Sequence, residues 1–288
     1  MNIDEIRIIE KEMVRILPIF LREFVDYVAY DTRNYILDRI KQNRANHLIG
    51  FDSGMGAWCR DRKIYFAIQN KNMFVKFAKN PEYGQKKSGE LITSDEFIDN
   101  DKDYIDYMQY IFDNGLTELD YCLDLLPHQV THLIGCKGGV LGEGITELRT
   151  RQICKMHGIR CAPILHSKET KIIRMLDEFV DDITINESAF LGRFDFLIEE
   201  LEKKFGKENF QSIYEDLCID YRTYASDRSQ DPFVHYQKYR EIDFSRMFDL
   251  IESIKAIEIN ETNEIKEENE GNETKIANDV NKENKIDL

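Results

Sequence analysis

No stretch of the chain reaches the roughly 20 apolar residues that a helix needs to cross a bilayer, so no membrane-spanning helix is expected. The first residues, MNIDEIRIIEKE, are charged where a secretory leader carries its apolar segment, which predicts a cytoplasmic protein. Regular cysteine spacing is also lacking. Six cysteines (Cys59, Cys122, Cys136, Cys154, Cys161 and Cys218) lie scattered through 288 residues, which is no disulfide framework and fits a reducing compartment. Positive charge is scarce overall: the net charge of -15 excludes bulk binding to DNA or anionic lipid, which would be repelled at long range.

That mean conceals a pattern. Residues 60–87 carry eight bases and two acids, 88–126 one base and eleven acids, and 132–175 eight bases and three acids. Two positive segments therefore sit in a negative protein, either as solvated faces or as a local anion site.

Apolar residues recur at three- and four-residue steps through 3–44, which predicts helix, with Pro18 dividing the run because it removes a backbone donor and crowds the preceding turn. HLIGF (47–51) is the next apolar run, and KIYFAI (63–68) has the β-formers of a strand. Segment 80–94 has the composition of a loop, and acidic helices are expected at 95–113 and 117–126, ended by Pro127. VTHLIGC (130–136) and IRCAPIL (159–165) read as buried strands flanking a helix, 145–157, that Gly158 closes. Strand, helix and strand with short connections predict a parallel βαβ unit. Further helices are expected at about 168–180, 188–205, 208–222 and 242–256.

The predicted fold class is thus α/β, a parallel-sheet, Rossmann-like core. It divides into a helical N-terminal lobe (1–45), the α/β core (46–185), a helical C-terminal lobe (186–257) and a disordered acidic tail (258–288), whose Asn, Glu, Lys and Ile cannot offset their ordering entropy.

The turn KGGVLGEG (137–144) is the strongest functional signal. Gly138, Gly139, Gly142 and Gly144 would let backbone approach a ligand, and the helix that follows would turn its positive end to an anion. The letters match neither GxGxxG nor GxxxxGK[ST]. GGVLGEGITEL resembles the GGxGTxxE turn of the cytokinin-activating phosphoribohydrolase family in its paired glycines and Glu147, with different spacing and no Gly-Thr pair, and no family is assigned on it. HLIGFDSG (47–54) and HLIGCKGG (132–139) share a tetrapeptide, and such paired turns resemble the phosphate-clasping hairpins of the actin and sugar-kinase ATPases. Lys137 departs from the acid expected there.

These features predict a nucleotide-binding protein of hydrolase or transferase type that holds a phosphate-bearing small molecule. Lys137, Arg149 and Lys168 would offset its charge beside the four glycines, and His166, Glu147 or Glu143 would act in acid–base work. The rival expectation is a non-catalytic assembly protein whose tyrosine-rich helices and acidic tail meet protein partners. No cofactor is assigned. His128, His132, Cys136, Cys154, His157, Cys161 and His166 crowd into 39 positions, but their spacing matches no standard zinc finger. A βαβ unit would also put them at opposite ends, so no metal site is expected.

Overall fold

The structure, a computed structural model, describes residues 2–52, 57–67, 115, 117–162, 166–226, 238–257 and 259. The loop and acidic helix expected at 80–94 and 95–113, and the tail from 260, lie outside these residues. Two compact units are present, 1–244 and 245–288. In the second, 245–257 is helical, with Met247, Leu250 and Ile251 at helical spacing.

The first unit is built mainly of helices: α1 (Ile3–Glu23), α2 (Tyr30–Lys41), α3 (Glu118–Ile134), α4 (Val140–His157), α5 (Ser167–Leu176), α6 (Asp182–Leu191), α7 (Phe194–Phe205) and α8 (Lys207–Ser226). Three short strands, β1 (Ile49–Asp52), β2 (Ala57–Arg60) and β3 (Lys63–Ala67), form a mixed sheet in the order β1-β3-β2, with β1 parallel and β2 antiparallel to β3. The Rossmann-like α/β core is therefore corrected. No parallel sheet runs through 130–165 among the described residues: 130–134 is the end of α3, and 159–162 is irregular chain. The nucleotide-binding, hydrolase and transferase expectations rested on that core and fall with it.

Both prolines expected to end helices lie inside them. Pro18 sits within α1 and Pro127 within α3. A proline in a helix interior costs about 3 kcal/mol, whereas each fully buried large apolar side chain contributes about 1.5–3 kcal/mol. α3 buries Tyr121, Leu125, Leu126, Val130, Leu133 and Ile134 around its proline, so packing outweighs the lost hydrogen bond. Thr117 starts that helix with a capping box, accepting from the backbone of Asp120 while the Asp120 side chain takes the Thr117 N–H. α1 packs on α3, as do β2, β3 and α4.

The glycine-rich turn is shorter than expected: only Lys137–Gly139 is loop, and Gly142 and Gly144 are already helical. A Cβ at Gly142 would lie 2.0 Å from the Lys137 carbonyl oxygen, and one at Gly144 2.4 Å from the Glu169 carbonyl oxygen of α5. These two glycines let α4 close on the loop and on α5.

Candidate metal centre

Three helices deliver the site. His128 and His132 are four residues apart on α3, and Glu143 and Glu147 four apart on α4, so each pair shares one helix face. His166 stands at the N-cap of α5. His128 Nε2 lies 3.1 Å from His132 Nε2, and Glu143 Oε2 lies 3.3 Å from the first and 3.0 Å from the second. His166 Nε2 approaches the same Glu143 oxygen at 3.4 Å.

The far side of each ring fixes its proton. His132 Nδ1 faces the Cys136 carbonyl oxygen at 3.1 Å, an atom that only accepts, so Nδ1 carries the hydrogen. His128 Nδ1 donates to Glu147 Oε2 at 2.7 Å. Burial would raise the Glu147 carboxyl, but the His128 hydrogen bond and the Arg151 charge outweigh it and hold its pKa at about 2. Arg151 Nε in turn donates to Glu147 Oε1 at 3.1 Å and its Nη2 to the Ala162 carbonyl. With both Nδ1 positions protonated, the two Nε2 lone pairs of neutral rings point at one another and at a carboxylate.

Three like donors converging in this way repel unless a cation or protons lie between them. Burial disfavours charge on Glu143, yet the imidazoles of His132 and His166 outweigh that and hold its pKa well below the usual range. Burial likewise opposes protonation of His128, His132 and His166, but Glu143 and the other carboxylates around them leave all three pKa values raised. Metal and protons therefore compete for the same lone pairs. Bonds of about 2.0–2.2 Å give cis donor–donor edges of about 2.8–3.1 Å in octahedral and about 3.3–3.6 Å in tetrahedral geometry. The observed edges of 3.0, 3.1 and 3.3 Å fall within these ranges. Among the described residues, His128, His132 and Glu143 are the group whose donor atoms lie close enough to share one ion.

Among the described residues no cysteine sulfur joins this trio. Burial pushes the Cys136 thiol up to about 12, and Thr146 donates to its Sγ at 2.9 Å. The centre forms one wall of a cavity of about 740 Å3, whose other walls include Trp58, Arg60, Arg62, Gln129, Lys137, Gly138, His166 and Tyr239.

The structure thus brings Glu143, His166, Lys137 and Gly138 to one cavity. A Cβ at Gly138 would lie 2.9 Å from Glu143 Oε1, so that glycine leaves room for the carboxylate. Glu147 is buried behind His128 as its orienting partner. Gly139, at φ +93°, caps α4 with nothing within 4 Å of its Cβ position, and Gly142 and Gly144 serve packing. Arg149 and Lys168 are engaged elsewhere. Arg149 binds Asn186, Gln152 and Asp182, while Lys168 donates to the Arg240 carbonyl and lies over the Tyr239 and Phe244 rings. The sequence offers His128 and His132 no metal role, because their spacing matches no zinc finger and a βαβ unit would divide the His/Cys group between its two ends. The paired spacings H-x3-H and E-x3-E, each one helical turn, were the signal that finds them.

No helix among the described residues is long and apolar enough to cross a membrane. Comparison with known proteins gives no match to a family model, to a curated protein or to a solved structure.

Proposed function

We propose that this protein is a metalloprotein that holds one divalent first-row transition ion on His128, His132 and Glu143 and uses it on a ligand in the adjoining cavity. The supporting observation is the mutual convergence of three donor atoms at 3.0–3.3 Å while the outer nitrogen of each imidazole is tied to a carboxylate or a carbonyl. Such outer partners fix ring orientation and raise ligand basicity at metal sites. Two imidazoles and one carboxylate suit zinc or ferrous iron better than the oxygen-seeking magnesium or calcium.

Three protein ligands on one face leave coordination positions open, the arrangement of a working site and not of a closed structural one. His128, His132 and Glu143 all line the cavity, so an ion held there would polarise a water or a ligand oxygen in it. His166, 3.4 Å from the Glu143 carboxylate, lines the same cavity. Its Nδ1 turns toward Glu169 Oε1 at 3.5 Å, and Tyr239 donates its hydroxyl to the other Glu169 oxygen.

The test is metal content. The full-length chain, stripped and then dialysed in turn against zinc, manganese and anaerobic ferrous iron, is expected to retain one equivalent of at least one of them. Glu143→Ala and His132→Ala are expected to retain well under half an equivalent under the same conditions. A wild-type chain that retains none of the three ions overturns the proposal.

A further inference from the structure

Gln129 sits in the cavity wall one residue from the ligand His128, and it is 5% exposed. Its Nε2 donates to the Ala57 carbonyl oxygen at 3.2 Å, and since that oxygen only accepts, the amide cannot be turned over. Oε1 is then a fixed acceptor, buried, with no hydrogen-bond partner. A buried amide oxygen left unpaired costs about 1–3 kcal/mol, and Gln129 is a lining residue of the cavity.

Positive charge gathers on the same cavity. β2 and β3 are joined by a two-residue turn, Asp61-Arg62, between the paired residues Arg60 and Lys63. Both turn residues have positive φ, +51° and +58°, as primed hairpin turns require. Glycine or asparagine relieves the strain of that second position, yet an arginine occupies it. Arg60 and Arg62 line the cavity opposite Lys137. Aromatic rings steady both guanidinium groups, Tyr65 beneath Arg60 at 5.7 Å and Tyr35 beneath Arg62 at 5.1 Å. Arg60 shares its charge with Asp61 at 3.6 Å, whereas neither Arg62 nor Lys137 has a carboxylate partner among the described residues.

We infer that the cavity takes a small oxyanion, a carboxylate or a phosphate, that also carries a hydroxyl or amine. This rests on the metal reading above. An anionic oxygen ligates the ion, Arg62 and Lys137 offset the remaining charge, and the hydroxyl or amine donates to Gln129 Oε1. A cavity of about 740 Å3 is within the range that encloses a small metabolite.

The experiment uses the full-length chain loaded with cobalt(II), whose visible absorption reports the ligands of the ion. Absorbance on cobalt addition comes first and tests the metal reading alone: without it, both proposals fall together. Acetate, glycolate and orthophosphate are then titrated separately, the first two differing by one hydroxyl and the third separating phosphate from carboxylate. At least one of glycolate and orthophosphate is expected to shift the spectrum saturably, and to bind at least fivefold more tightly than acetate. Arg62→Ala/Lys137→Ala is expected to weaken that anion about fivefold or more while cobalt stoichiometry stays at one. Gln129→Leu is expected to narrow the preference over acetate about fivefold. Equal cobalt loading with no spectral response to any of the three anions overturns the inference and leaves the metal reading standing. Binding unchanged in the folded Arg62/Lys137 double variant overturns it equally, and that variant touches only exposed positions, so folding does not obscure the result.

Discussion

The two faces of α4 are both rich in buried charge, yet they are organised in opposite ways. On one, Arg149 spends its donors in a closed set: Nε on Asn186 Oδ1, Nη1 on Gln152 Oε1 and Nη2 on Asp182 Oδ1. Unlike groups meet there, donor to acceptor. On the other, Glu143 meets His128, His132 and His166, and the atoms that converge are all lone-pair donors once the rings are neutral. A satisfied network explains itself as structure; a convergence of like donors calls for protons or a cation between them. The second face is the one on which the proposed metal site rests.

The comparison breaks first at the metal. With free ion at about 1,000 times its dissociation constant, one bound metal adds about 4 kcal/mol to stability, and metal addition is expected to raise the Tm of the wild type by roughly 10 °C. His132→Ala should lose nearly all of that rise, as seen by differential scanning calorimetry with and without zinc. Arg149→Met is expected to behave oppositely: it leaves the buried Asn186 Oδ1 without its donor, while water takes up the exposed Asp182, and it lowers stability by about 1–3 kcal/mol in urea unfolding with one metal still bound.

Two glycines sharpen the contrast at smaller scale. Gly144→Ala forces a methyl against the Glu169 carbonyl and should cost about 1–3 kcal/mol of stability by parting α4 from α5. Gly138→Ala meets only the end of the Glu143 side chain, so it should reduce metal affinity in a competition with a chelating dye and leave unfolding almost unchanged. Glu147→Gln, which loosens the partner of His128, should weaken metal binding about 10–100-fold in the same assay. The smallest effect is expected for Cys136→Ala, about 1 kcal/mol of stability and no change in metal stoichiometry, because the thiol is held by Thr146 and is not a ligand.

Much of the helical framework was legible from periodicity and punctuation. The helix before Gly158, the helix after His166 and the strand at 63–67 lie where the sequence predicts them. The α/β expectation fails at two runs: VTHLIGC, which ends α3, and IRCAPIL, whose described part, 159–162, is irregular chain. VTHLIGC is short, β-branched and apolar, and a run of that length does not by itself distinguish a buried strand from the end of a buried helix. Pro127 just before it looked like a terminator, but burial on every side of α3 overrides it. With 128–134 helical, His128 and His132 share one face. The sequence singles out Glu143, Glu147 and His166 from their position at the glycine turn and before α5, and the structure gathers all three around His128. Gln129 was not: its unpaired oxygen exists only because β2 is folded against α3, a contact 72 residues away in sequence.

The central claim is that an ion sits among nitrogen and oxygen donors from α3 and α4, and X-ray absorption on the zinc-loaded, full-length protein measures that directly. The account expects a first shell of nitrogen and oxygen at about 2.0–2.1 Å, with imidazole scattering from two or three rings and no sulfur shell near about 2.3 Å. A shell dominated by sulfur, or zinc seen only with its hydration oxygens, would contradict it.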